Sequence, residues 1–119
     1  MKRTLFASLA LALALHTGTA FAHAGLESAT PAMDATVTAP QALSLTFSEA
    51  VTLAFTGITL KAADGSEIAT GDASLDAETG STLTVPLTAP LLPGSYTVEW
   101  HALSEDGHKV NGSYAFTVN

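Results

Sequence analysis

Leu92-Pro93-Gly94-Ser95-Tyr96-Thr97-Val98-Glu99-Trp100-His101 reads as a turn that opens into a strand. Pro93 and Gly94 are turn residues. After them apolar and polar side chains alternate, with Tyr96, Val98 and Trp100 on one face and Thr97, Glu99 and His101 on the other. A period of two is what a half-buried strand requires, because successive side chains point to opposite faces of a sheet. The pattern returns downstream in Tyr114, Phe116 and Val118, and upstream in Leu43, Leu45 and Phe47. Ile58 and Leu60 share a face, and Leu83 and Val85 form a further strand ended by Pro86. Ala63-Asp64-Gly65-Ser66 is a hairpin turn, followed by a weak edge strand from Glu67 to Thr70. With Gly25 to Ser28 as the first, the count is seven strands, and no helical period competes.

Short alternating segments separated by turn residues predict an all-β fold, a seven-stranded Greek-key β-sandwich. The Leu92 to Tyr96 segment resembles the tyrosine corner that locks the entry to the sixth strand of immunoglobulin-like sandwiches. Between Ala69 and Ser81 the residues are mostly small, polar and acidic, which predicts a mobile connection across one edge.

The chain opens with a different kind of segment. Lys2 and Arg3 precede an apolar run from Leu5 to Leu15, and Ala20 and Ala22 stand where a signal peptidase needs small residues. The run is shorter than the roughly 20 residues that span a bilayer. Residues 1–22 therefore read as a cleaved signal peptide and 23–119 as the mature domain; cleavage after Ala20 or Ala24 also fits the small-residue pattern. With cleavage after Ala22 the mature chain begins at His23, whose α-amine and imidazole can close one chelate ring around a single metal ion.

Composition narrows the function. A domain of this length holds one modest core. All eleven acidic residues follow residue 22 while Lys2 and Arg3 precede it, so the mature part has two lysines against eleven carboxylates, a net charge of −9 with histidine neutral. Such a surface repels phosphate backbones and anionic lipid, which excludes nucleic acid as a partner and membrane insertion of the mature chain. Cysteine is absent. Stability then comes from packing alone, and any metal site is left with histidine, carboxylate and the N-terminus.

In a sandwich the strands alternate direction, so the start of the first strand, the end of the second and the end of the sixth reach one pole. That places together His23, Ser48-Glu49 and the loop Ser104-Glu105-Asp106-Gly107-His108. Two imidazoles, one amine and at least two carboxylates converge there. Amine, two imidazoles and a carboxylate form an N₃O donor set that suits tetragonal Cu(II), which also tops the divalent affinity order; zinc is the competitor. Asp-Gly-His alone is weak, because Asp-Gly is an ordinary turn; the topology is what makes the site. His101 alternates outward and reads as a solvated surface residue. Glu49 either opens the turn after Phe47 or accepts a hydrogen bond that holds the amine or an imidazole in place.

The order and spacing of several segments resemble the CopC-type periplasmic copper-binding proteins. These are the histidine start, Ser28-Ala29-Thr30-Pro31-Ala32, Leu45-Thr46-Phe47-Ser48-Glu49, Leu92 to Tyr96, and Trp100 through Asp106-Gly107-His108 to Gly112-Ser113-Tyr114-Ala115-Phe116-Thr117-Val118. The resemblance implies an immunoglobulin-like sandwich that holds one Cu(II) per monomer in the periplasm and acts in copper resistance or delivery, with a CopD-type inner-membrane protein as partner. It puts the Cu(II) ligands on His23, Asp106 and His108 and a supporting glutamate on Glu49. One departure is plain: some relatives carry a methionine-rich loop for Cu(I), whereas this chain has no methionine after Met33.

Two other functions compete. A histidine start with a second histidine on a sandwich also resembles the copper brace of lytic polysaccharide monooxygenases. Against it, Asp106 would fill a position that oxygen activation needs open, and no flat aromatic surface for polysaccharide is evident. The other is a metal-free interaction sandwich in which the histidines are incidental.

Overall fold

The computed structural model describes residues 25–119. Its strands are β1 Leu26–Thr30, β2 Thr36–Val37, β3 Ala42–Phe47, β4 Gly57–Ala62, β5 Glu67–Ile68, β6 Ser74–Leu75, β7 Thr82–Pro86, β8 Gly94–Leu103 and β9 Lys109–Val118, with one 3-10 turn at Leu53–Phe55. They form two sheets, ordered β1-β3-β7-β6 and β2-β9-β8-β4-β5. Every pairing is antiparallel except β2 with β9. The fold is the expected all-β, immunoglobulin-like sandwich.

The alternation read from the sequence is what closes it. On β3, Leu43, Leu45 and Phe47 are buried while Ala42, Ser44 and Thr46 are not. They meet Leu83 and Val85 of β7, Leu60 of β4, Tyr96, Val98 and Ala102 of β8, and Tyr114, Phe116 and Val118 of β9 in one core. Each such side chain removed from water contributes about 1.5 to 3 kcal/mol. Tyr96 stacks on Phe116 with ring centroids 5.7 Å apart. Its hydroxyl donates to the Leu92 carbonyl at 2.6 Å, so the tyrosine corner is present. Trp100 faces the same side but stays half-buried. It meets Phe47 edge-on at 5.4 Å and lies over Gly112, where a Cβ would stand 2.6 Å from the indole.

Two strands go beyond the seven expected. Thr36–Val37 lies parallel to the end of β9, held by Thr117 N–H to Ala35 O at 2.8 Å and Asn119 N–H to Val37 O at 3.1 Å. Ser74–Leu75 pairs with β7 inside the segment expected to be a connection. Two residues carry too little alternation to register as strands; their partners' backbones define them. The first strand also runs two residues further than Ser28, with a bulge between Leu26 and Ser28.

Candidate metal centre

Two strand ends and one loop meet at one pole. Ser48, just past β3, holds Gly25 from both sides: Ser48 N–H donates to Gly25 O, and Gly25 N–H donates to Ser48 Oγ, each at 2.9 Å. Two residues on, Glu105 N–H donates to Ala50 O at 3.1 Å, and Val51 bridges to Ser104. The segment 48–51 thus joins the start of the described chain to the loop between β8 and β9. The convergence expected from alternating strand directions holds for Gly25, Ser48-Glu49 and Ser104 to His108.

That loop is a tight turn. Ser104 N–H donates to His108 O and Gly107 N–H to Ser104 O, both at 2.9 Å. Gly107 sits at φ +91, a conformation open to glycine and costly for other residues. The turn folds Asp106 back on His108, bringing Oδ1 within 3.0 Å of Nδ1. Ser104, buried to 1 % exposure, organises the pair from below. Its hydroxyl donates to Asp106 Oδ1 and accepts from the His108 backbone N–H at 3.2 Å. Hydrogen bonds from the Ser104 hydroxyl first and then from the His108 side chain hold the Asp106 carboxyl below its ordinary 3.8. The carboxylate is therefore charged across the neutral range and available as a donor.

The separation fits one metal ion. Two cis ligands with bonds of about 2.0 to 2.1 Å stand about 3 Å apart, which is the distance between Asp106 Oδ1 and His108 Nδ1. A pair alone does not make a tight site, and no group of three histidine, cysteine, aspartate or glutamate side chains among the described residues could hold a metal. His23 lies outside the described residues, two positions before Gly25. Glu49 is half-buried at the same pole, between the Ser48 that holds Gly25 and the Ala50 that holds Glu105. His101 is exposed on the outer face of the second sheet, paired in register with Gly57 and Asn111, as its alternation predicts.

Sequence reasoning named Ser48 and Ser104 only as neighbours. Their hydroxyls prove to be the fasteners, one for the chain start and one for the Asp106–His108 pair. The available signal was position: a serine at the end of a strand, beside or two residues before an acidic residue, where hydroxyls satisfy turn backbone.

Known proteins share the whole domain. The family model described as CopC domain matches residues 26–119. Protein YobA of Escherichia coli K12 is 42% identical over 114 residues, covering 95% of this chain and 92% of YobA. The crystal structure of CopC from Methylosinus trichosporium OB3b superposes with a TM-score of 0.76 at 34% identity, covering 82% of this chain and 94% of that one. PcoC, a methionine-rich copper resistance protein from Escherichia coli, superposes with a TM-score of 0.74 at 34% identity, covering 82% and 100%. The chain belongs to the CopC domain family of copper resistance proteins.

Proposed function

We propose that this chain is a periplasmic protein that binds one Cu(II) and sequesters it or passes it to a membrane copper protein of the CopD type. Residues 1–22 act as a cleaved signal peptide. The metal is held by the amine and imidazole of His23, the Asp106 carboxylate and the His108 imidazole, with Glu49 steadying the amine or an imidazole by hydrogen bonding. The observation that carries this is the double clamp of Gly25 on Ser48, on the same short segment that holds Glu105. Two residues of chain reach at most about 7 Å, which supports a mature start at His23 within reach of the pole that carries Asp106 and His108.

The donor set selects the ion. Nitrogen and carboxylate donors suit Cu(II), while Cu(I) wants thiolate or thioether. There is no cysteine, and Met33 is the last methionine. Ascorbate reduction therefore releases the metal. Binding rather than catalysis is the reading that Asp106 favours, because its carboxylate, 3.0 Å from His108 Nδ1, would occupy a copper position that oxygen activation needs open.

Titration of the mature protein with Cu(II) gives one tight equivalent. Affinity falls as pH drops through the histidine range near ~6.5, because both the imidazoles and the amine must shed protons to coordinate. Two comparable sites, or affinity constant from pH 8 to pH 5, contradict the reading.

A further inference from the structure

Directly beside the 104–108 loop the molecule exposes an apolar turn. Leu53, Ala54 and Phe55 form the 3-10 turn and none is buried; Phe55 is 62 % exposed. The turn is nonetheless fixed in place. Buried Val51 and Thr56 flank it, Thr52 N–H donates to Leu103 O at 2.8 Å, and Thr56 Oγ1 accepts from Leu103 N–H at 3.2 Å. Contiguous exposed apolar surface rimmed by polar residues marks interaction sites.

Phe55 forms one wall of a recess of about 340 Å³ whose other sides include His101, Leu103 and Lys109. That volume accommodates a side chain with its neighbours. His101 lies flat across β4 because Gly57 has no side chain; a Cβ there would stand 3.0 Å from the imidazole. Charge singles out the recess as well. The described residues contain two lysines and eleven carboxylates. Lys61 is paired with Glu99 at 3.1 Å on the outer face of the same sheet. Lys109 has no carboxylate within 4.0 Å among the described residues. Among the described residues, the lysine with no carboxylate partner thus lies beside the exposed Phe55 ring. Leu103 and Lys109 are also the two residues that bracket the metal loop.

We propose that this recess docks a segment of a partner protein that presents an apolar side chain next to a carboxylate, the side chain packing on Phe55 and Leu103 and the carboxylate meeting Lys109. A second copy of this chain is disfavoured as occupant by mutual repulsion of two acidic molecules. The docking stands on the recess itself; its use, bringing the partner alongside the copper ligands for transfer, rests on the function proposed above.

The test uses the metal-free mature protein and two peptides, acetyl-Glu-Leu-Phe-amide and its glutamine counterpart, followed by amide chemical shifts. The glutamate peptide shifts Ala54, Phe55, His101, Leu103 and Asn111 and binds severalfold tighter than the glutamine peptide. Phe55→Ser abolishes these shifts while one equivalent of Cu(II) still binds with unchanged affinity, and Lys109→Gln erases the difference between the peptides. No shifts, shifts elsewhere, or equal binding of the two peptides overturns the proposal. So does a concentration-dependent dimer in sedimentation that Phe55→Ser dissolves, since the recess would then belong to a second copy. A Phe55→Ser protein that binds peptide normally but loses Cu(II) overturns the separation of the two sites.

Discussion

The turn Ala62-Ala63-Asp64-Gly65-Ser66 and the turn Ser104-Glu105-Asp106-Gly107-His108 are built alike and do different things. In each, the first residue's N–H donates to the last residue's carbonyl, at 2.8 Å for Ala62 and 2.9 Å for Ser104. In each, the glycine N–H returns to the first residue's carbonyl at 2.9 Å, and the glycine has positive φ, +84 at Gly65 and +91 at Gly107. In each, the aspartate Oδ1 accepts from the last residue's backbone N–H. Because β4 and β8 are antiparallel neighbours, the turns that follow them lie at opposite ends of the sheet. What differs is the side chains. Ser66 replaces His108, and Ala62 replaces the buried hydroxyl of Ser104. The surroundings differ too, since among the described residues only the second turn is joined to Gly25 through residues 48–51. An Asp-Gly turn is therefore a structural device; the residue after the glycine and the neighbouring segments turn one copy of it into a candidate metal centre.

The strongest way to break this comparison is to exchange the distinguishing residues. His108→Ala weakens Cu(II) binding by orders of magnitude, each tenfold step being about 1.4 kcal/mol. Its melting temperature barely moves, because an exposed substitution stays within about 0.5 kcal/mol. Ser66→His rebuilds Asp-Gly-His at the other pole and gains no second tight site, since the described chain ends there at Asn119 and offers a carboxylate in place of an amine and imidazole. Calorimetric Cu(II) titration of both variants decides; a second comparable site in Ser66→His would mean that the turn alone suffices.

Ser104→Ala has the next largest effect. It leaves Asp106 and the His108 backbone N–H without the hydroxyl between them, a loss of about 1 to 3 kcal/mol in unfolding free energy measured in urea. Cu(II) affinity falls less than in His108→Ala, because both proposed ligands remain.

The smallest effect is a matched pair of titrations. Asp64 is held below 3.8 chiefly by the Ser66 side-chain hydrogen bond, and Asp106 chiefly by that from Ser104. A lowered carboxyl contributes stability that is present above its unfolded value and lost as pH falls through the folded one. Carboxyl carbon shifts followed from pH 6 to pH 1.5 give midpoints below 3.8 for both. Ser104→Ala raises the Asp106 midpoint and leaves that of Asp64 in place. Midpoints that respond together would deny the separate hydrogen-bond origins.

The same contrast explains what could be read in advance. Alternation on Leu43 to Phe47, Tyr96 to Trp100 and Tyr114 to Val118 reports burial directly, so the sandwich and its core were legible. The meeting of Ser48-Glu49 with Ser104 to His108 followed from strand direction. Val51, Leu53 and Phe55 alternate as a strand would, yet Leu53 and Phe55 are exposed on a 3-10 turn, because the Thr52 N–H bond to the Leu103 carbonyl and the Leu103 N–H bond to the Thr56 hydroxyl decide that segment. The short strands β2 and β6 and the two serine fasteners are likewise set by distant backbone, which a local pattern does not carry.

Under the proposed function, a mature N-terminus at His23 completes the centre begun by Asp106 and His108. Insertion of one alanine ahead of His23 in the mature protein keeps every side chain and moves the free amine off the histidine. The extended protein shows altered Cu(II) absorption and electron paramagnetic resonance spectra and affinity weaker by several tenfold steps, with an unchanged melting temperature for the metal-free protein. Unchanged affinity together with an unchanged spectrum would contradict the proposal.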